Sequence, residues 1–243
     1  MAQATPSDPA RHQPDEVFDF DGAYGVRYEK LAHQLIPSYA QLFPATVALL
    51  EGEVTDDADV LMVGCGTGIE LTTFGKSKPD WRLTGVDPSP QMIRLAQEKL
   101  RDEGLEDRCE LLCGYTNDLP RVPAFDAATL FNVMHFLPDD GAKLVLLESI
   151  AARLRPGGQL VMVDLHGDPS SETFRRLMSG WQEFMLLRGL SIEERAVFLD
   201  RLRQGMHYVP ATRILELLNE AGFGQVIQFY GGFLYGGWVA GRR

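Results

Sequence analysis

The sequence predicts an α/β fold, a mostly parallel sheet with helices on both faces, from three observations. First, the apolar run Val60–Val63 ends abruptly in Gly64-Cys65-Gly66-Thr67-Gly68, three glycines spaced two apart. Second, Trp81-Arg-Leu-Thr-Gly-Val-Asp87 is another strand-like run, and it ends in a carboxylate. Third, further apolar runs at Phe125–Phe131 and Gln159–Leu165 alternate with segments of helical periodicity. Strands that are apolar throughout suit a sheet buried on both faces.

Residues 1–16 are rich in Pro and polar side chains and are expected to be a disordered tail outside a single domain, 17–243. From Phe18 the aromatic and aliphatic residues Phe20, Tyr24, Tyr28, Leu31, Leu35 and Ile36 recur at near-helical intervals. A second such run ends at Val47–Leu50, so 17–55 reads as a helical N-terminal extension. The glycine turn comes next. Glycine removes the Cβ that would hold the turn away from a ligand, and the following helix offers unpaired N–H groups and the positive end of its dipole. Such a turn suits a nucleotide-like ligand. A dinucleotide fingerprint is excluded because Ile69 stands where its third glycine would fall, and a P-loop because no Gly-Lys-Ser/Thr follows. Asp87 then fits the acid that, at the end of a second strand, accepts hydrogen bonds from ribose hydroxyls.

Beyond Asp87, Ser89 is placed to cap a helix whose first turn holds Pro90 and whose stripe is Met92, Ile93, Leu95, Ala96 and Leu100. Arg108–Cys113 reads as the third strand and Phe125–Phe131 as the fourth. The carboxyl end of the fourth, Asn132-Val133-Met134-His135, therefore faces the ligand crevice. A helix carrying Leu144, Leu147, Ala151 and Leu154 stops at Arg155-Pro-Gly-Gly158, and Gln159–Leu165 is the fifth strand. Residues 168–208 form an insertion of two helices, marked by Phe174, Leu177, Trp181 and Met185 and then by Ile192, Ala196, Leu199 and Leu202. Placed after the fifth strand, it is expected to sit over the crevice as a lid; the same side chains also suit a core or a homodimer contact. A last helix, Ile214–Glu220, precedes two strands, Gln225–Tyr230 and Phe233–Ala240, joined at Gly231-Gly232.

Composition narrows the function. At 243 residues and 45% apolar, the chain can bury a substantial core. Thirty-four acids against 23 Lys plus Arg give a net charge of −11, which opposes the attraction that dominates nucleic-acid binding. A small-molecule partner ranks above RNA or DNA. No apolar run approaches a membrane span and no signal-peptide core is visible, so the cytoplasm is the expected address. Cys65, Cys109 and Cys113 read as free thiols, and no metal site is expected.

On Gly64-Cys65-Gly66-Thr67-Gly68 and Asp87 the sequence resembles the class I S-adenosylmethionine (SAM) dependent methyltransferases, over nearly its whole length from Phe18. The segment from Phe18 through Ile36-Pro-Ser-Tyr39 and the block Phe131–Leu137 look most like the small enzymes related to carboxy-SAM synthase. The resemblance implies a Rossmann-like seven-stranded sheet in the order 3-2-1-4-5-7-6, its last strand antiparallel, with SAM as cofactor. It implies that the glycine turn and Asp87 hold SAM, together with Pro88 and Met92 against the adenine, the loop at Tyr115 and Thr116, and Asn132 and Val133 beyond the fourth strand. The family's acid directly after Gly114 is replaced by Tyr115, which leaves Asp118 or a backbone amide near Thr116 to meet the adenine edge. The extension would bring Tyr24, Arg27 and Tyr28 to the substrate pocket, with the tyrosines equally suited to packing it onto the sheet; His166 and Trp181 complete the expected pocket.

Methyl transfer from a sulfonium needs an in-line nucleophile at about 3 Å, exclusion of water, and a base only where the nucleophile starts protonated. His135 is the leading candidate base because it follows the fourth strand and titrates near neutral pH. One departure bears on affinity: the family's acid two residues before Gly64 is Met62 here, so Glu70 or a water must substitute. Three readings follow. The first is transfer of a methyl group to a small-molecule O, N or C nucleophile; the second is a carboxy-SAM synthase-like or tRNA wobble-uridine modifying enzyme; the third is a SAM-binding protein that is not an enzyme.

Overall fold

Strand β1 (Asp59–Val63) is the axis of the molecule, and its side chains explain the layers. In the computed structural model, which describes residues 17–243, Val60 and Met62 face one apolar cluster while Leu61 and Val63 face another. That alternation, both sides apolar, is what a central strand needs. Strands β2 (Arg82–Asp87), β3 (Cys109–Cys113), β4 (Phe125–Phe131) and β5 (Leu154–Leu165) run parallel to it. Strands β6 (Phe223–Gly232) and β7 (Tyr235–Arg242) complete a seven-stranded sheet of order β3-β2-β1-β4-β5-β7-β6, with β7 antiparallel to both neighbours. This is the order the sequence implied. The expected tail, 1–16, lies outside the described residues.

The register is what builds a site. Val63 pairs with Val86 and with Leu130, so the carboxyl ends of β1, β2 and β4 finish together, at the point where the chain leaves β1 for one side of the sheet and returns on the other. Helices α3 (Ile69–Ser77) and α4 (Pro90–Asp102) follow β1 and β2, and α5 (Ala142–Ala151) follows β4. As expected, Ser89 caps α4 by accepting the Met92 N–H at 3.1 Å, with Pro90 in its first turn.

The N-terminal extension is two helices, α1 (Ala23–Leu35) and α2 (Tyr39–Leu50). The insertion is α6 (Glu172–Leu187) and α7 (Ile192–Gly205), with α8 (Ala211–Glu220) behind it. Extension and insertion pack together: Trp181 of α6 is fully buried, and its indole N–H donates to the Leu35 carbonyl at 2.7 Å.

Two boundaries differ from the sequence reading. Helix α5 ends at Ala151 rather than at the Pro-Gly-Gly stop, because the Arg153 carbonyl accepts the N–H groups of Ala124 and Phe125 and draws Leu154 into the sheet. The Pro-Gly-Gly segment is then a bulge, with pairing resuming at Gln159 opposite Ala127. In the last hairpin the turn falls on Phe233-Leu234, and Gly231 and Gly232 lie in the ladder. These glycines serve packing: a Cβ on Gly232 would stand 3.0 Å from the Tyr230 hydroxyl, which itself donates to the Pro37 carbonyl at 2.6 Å.

Candidate functional site

A cavity of about 670 Å³ opens at the carboxyl ends of β1, β2 and β4. The glycine turn forms one wall. Gly64 has φ +70°, and a Cβ there would lie 2.3 Å from the Val133 side chain, so only glycine fits. Gly66, at φ +52°, has no atom within 4 Å of a Cβ, so this stretch of backbone faces open space. Gly68 leaves the cavity, caps α3 and touches Ala96 of α4.

Asp87 lines the cavity and is buried. One carboxylate oxygen accepts the Gly66 N–H at 2.9 Å and the other the Ser89 N–H at 2.9 Å. Burial pushes its pKa up to about 6, against those two hydrogen bonds and helped by the negative charge of Asp21. Pro88, Met92, Tyr115, Thr116, Asn132, Val133 and Tyr28 line the same cavity. The loop at Tyr115 is held from behind: Ser149 donates to Thr116 Oγ1 at 2.9 Å, and buried Arg153 donates to the Leu119 carbonyl at 2.7 Å. Asp118 is exposed, accepts the Tyr115 N–H at 2.9 Å, and is not among the residues that line the cavity.

Several expected site residues lie elsewhere. Cys65 is buried behind the turn, and burial pushes its thiol well above the ordinary range. Thr67 donates to Glu29 of α1 at 3.1 Å rather than facing the cavity. Arg27 is an exposed side chain paired with Glu194 at 2.7 Å, because its position on α1 points to the insertion and not to the sheet. Trp181 is core, edge-on to Tyr235 at 5.5 Å and to Phe198 at 6.0 Å. His166 packs on Trp238, and burial lowers its pKa.

His135 and Tyr24 border a second, much smaller cavity of about 30 Å³, which shares Phe18, Tyr28, Asn132 and Phe136 with the larger one. The insertion contributes Phe198, Leu202 and Met206 to this small cavity and nothing to the large one. His135 is buried, and its Nδ1 meets Asp164 of β5. The Asp164 carboxylate also accepts the N–H groups of Met134 at 2.7 Å and His135 at 3.1 Å. On the other side, buried Lys143 donates to the Met134 carbonyl at 2.7 Å, and desolvation lowers its pKa. The loop after β4 is thus gripped between an acid and a base.

The residues that the sequence reading missed belong to two groups. Phe18, Asp19, Phe20 and Asp21 precede α1 and cover the cavity, where Asp21 accepts the Ser89 hydroxyl at 2.6 Å and the Gln91 N–H at 3.1 Å. Alternating Phe-Asp-Phe-Asp ahead of the helix was the available signal. Asp164 was the other, a charge inside an apolar strand, since buried charges are the informative exception. Among the described residues all three cysteines are free and no metal-binding cluster occurs. No helix there is long and apolar enough to cross a membrane.

Comparison with known proteins agrees with this geometry. Residues 60–158 match the family model described as a methyltransferase domain. The chain is 27% identical over 220 residues to carboxy-S-adenosyl-L-methionine synthase of Chromohalobacter salexigens, covering 88% of this chain and 79% of that one. Among solved structures, phosphoethanolamine N-methyltransferase 2 of Haemonchus contortus in complex with S-adenosyl-L-methionine is 15% identical with a TM-score of 0.64. The match covers 93% of this chain and spans 60% of that longer one. The cyclase SpnF, 18% identical with a TM-score of 0.61, covers 86% of this chain and 83% of its own. The glycine turn, the acid ending β2 and the seven-stranded order are thus those of a SAM-dependent methyltransferase fold, with a methyltransferase-domain match over residues 60–158 and similarity to carboxy-S-adenosyl-L-methionine synthase over most of the chain.

Proposed function

We propose that the chain transfers a methyl group from SAM to a small-molecule O, N or C nucleophile, with SAM in the larger cavity. The observation that carries this reading is Asp87: a buried carboxylate that accepts the Gly66 N–H, lining a cavity beside a glycine whose Cα faces open space. The residues present fit an adenosyl ligand. Asp87 would hold the ribose hydroxyls, Pro88 and Met92 would pack the adenine, and the backbone at Tyr115–Thr116 would meet its edge. When bound, SAM supplies an electrophilic methyl group on a cationic sulfur. The acidic lining, Asp19, Asp21 and Asp87 with no Lys or Arg among the described lining residues, suits that positive charge.

The acceptor would approach from the small cavity, beside His135. A histidine whose Nδ1 is held by a buried carboxylate presents Nε2 as an acceptor, the arrangement a general base requires. Phe198, Leu202 and Met206 would then be the part of the insertion that selects the acceptor, and α7 would have to yield for anything larger than a water-sized group to enter.

A second reading, carboxy-SAM synthase-like chemistry, is favoured by the similarity to that enzyme. It needs a cation for the extra carboxylate, and Arg201, 5.1 Å over the Tyr24 ring, is the cation closest in character. Native mass spectrometry of the purified protein separates the two: SAM or S-adenosylhomocysteine supports methyl transfer, while an adenosyl ligand heavier by a carboxyl group supports the second. Calorimetric titration with SAM then tests the site itself, and its loss in Asp87→Ala is the expected result.

A further inference from the structure

The small cavity is where an acceptor would have to lie, and its lining constrains what that acceptor is. It meets the large cavity at Phe18, Tyr28, Asn132 and Phe136, so a group seated there stands next to whatever the large cavity holds. No Asp, Glu, Lys or Arg is among its described lining residues, and Arg201, 5.1 Å over the Tyr24 ring, does not join them. The three tyrosines that do line it, Tyr24, Tyr28 and Tyr235, stay neutral at physiological pH, because burial raises their hydroxyls well above the ordinary value. The Asp164 carboxylate, behind His135, is already taken up by the N–H groups of Met134, His135 and Leu165 and by the imidazole. A charged acceptor would lose its hydration here and gain no counter-charge.

The walls are largely aromatic. Phe18 meets Tyr24 and Phe136 edge-on, both at 5.3 Å, and Tyr235 is held edge-on by Trp181 at 5.5 Å. The space between them, about 30 Å³, has room for a hydroxyl group and little more. The body of an acceptor must therefore displace part of the lining. Phe198, Leu202 and Met206 of that lining come from α7 and the residue after it, and α7 is tied to α1 by the Arg27–Glu194 pair at 2.7 Å, both members exposed. Exposed pairs hold weakly, so α7 is the wall that yields.

We propose that the acceptor is an uncharged, flat, apolar molecule carrying a phenolic hydroxyl, whose oxygen sits beside His135 where the two cavities meet. This rests on the reading of the large cavity as the SAM site, and it narrows the nucleophile to oxygen. Nδ1 of His135 is committed to Asp164, which leaves Nε2 for the hydroxyl proton. A phenol ionises near about 10, as tyrosine does, within reach of an imidazole base; an aliphatic alcohol is too weak an acid. As the oxygen bonds to the methyl carbon, the carbon–sulfur bond breaks and its electron pair stays on sulfur as a neutral thioether. The hydroxyl proton passes to Nε2, so the positive charge ends on an imidazolium paired with Asp164. An amine nucleophile would carry that charge itself, in a compartment with no carboxylate in its lining.

The test keeps the ring and varies the charge. Release of S-adenosylhomocysteine from SAM is measured on wild type with 4-ethylphenol, 2-naphthol, tyramine, 4-hydroxyphenylacetate and 4-ethylaniline, with calorimetric SAM binding alongside. We expect O-methylation of a neutral phenol with kcat/KM at least about 100-fold above that of the cationic and anionic relatives, the consequence of leaving a charge unpaired, and no methylation of the aniline. Met206→Lys sets a cation at a half-buried position of the lining and should move the preference toward 4-hydroxyphenylacetate by about 10-fold or more, with SAM titration confirming that the variant is folded. If that variant does not fold, the wild-type series decides alone. Turnover of a charged relative at or above that of the neutral phenols, methylation of the aniline, or no turnover of either neutral phenol by SAM-loaded protein would overturn the phenol assignment and leave the large cavity's assignment standing. An unchanged preference in a Met206→Lys protein that binds SAM would overturn the small cavity as the acceptor's place. Failure of wild type to bind SAM would overturn both readings.

Discussion

Asp87 illustrates how one side chain fixes both geometry and pH response. Its folded-state pKa, pushed up to about 6, lies above the ordinary carboxylate value near about 4. A group raised in this way favours folding only while it is protonated, so its contribution is lost as pH rises through about 6. Ligand binding runs the opposite way, since ribose hydroxyls need the ionised acceptor. Affinity for SAM should therefore weaken below about pH 6 while the fold does not, as titration and circular dichroism over the same pH series would show. The glycines separate in a similar manner. Gly64→Ala drives a Cβ to 2.3 Å from Val133 at a strained φ and should cost about 3 kcal/mol in denaturant unfolding. Gly66→Ala meets no neighbour, so it should cost only about 1–2 kcal/mol of strain while weakening SAM binding through the space its methyl occupies. These residues were legible in the sequence because turn chemistry and a strand-ending acid are local. Arg27 and Thr67 were misplaced because which face of a helix or turn meets the ligand depends on packing: Arg27 meets Glu194, and Thr67 meets Glu29.

At the scale of elements, the loop after β4 depends on Asp164 of β5. Replacing Asp164 by Ala leaves two buried N–H groups and the His135 ring without their acceptor, and it removes one of the two carboxylates, with Asp139, that favour the charge of buried Lys143. We expect a loss of about 3–5 kcal/mol in urea unfolding, the cost of orphaning a buried charge. Asp164→Asn, which keeps an acceptor, should lose less. The insertion is anchored in the same manner. Trp181→Ala removes a fully buried indole and its bond to Leu35, for an expected 3–5 kcal/mol, roughly, and should free α6 from α1 as read by hydrogen exchange. Existence of the strands could be read from apolar runs and glycine boundaries, whereas their order in the sheet came from the resemblance alone. The clamp could not be read, because it exists only through the β4–β5 register that sets Phe131 beside Val163, and sequence carries no register between strands so far apart. The same holds for the last hairpin, where Gly231 and Gly232 looked like a turn but lie in the ladder, Gly232 packed against Pro37 and Tyr230.

For the whole molecule, the sheet order fixes where a ligand binds but not which reaction follows. Similar folds serve an N-methyltransferase and a cyclase, so the chemistry of this chain rests on its site and not on its topology. The site has two compartments, a large acidic cavity and a small one lined by the N-terminal extension and in part by the insertion, meeting at Phe18, Tyr28, Asn132 and Phe136. That division was not visible in the sequence, where the insertion read as a lid over a single crevice. It makes substitutions in α7 selective. Leu202→Ala should alter acceptor turnover and leave SAM affinity as it was, whereas Asp87→Asn should do the reverse. The most direct measurement is calorimetric titration of SAM into wild type and Asp87→Asn. Saturable binding that weakens by tenfold or more in Asp87→Asn, with the variant's unfolding midpoint maintained, is the result we expect. Binding of equal strength to both proteins would contradict the site described here.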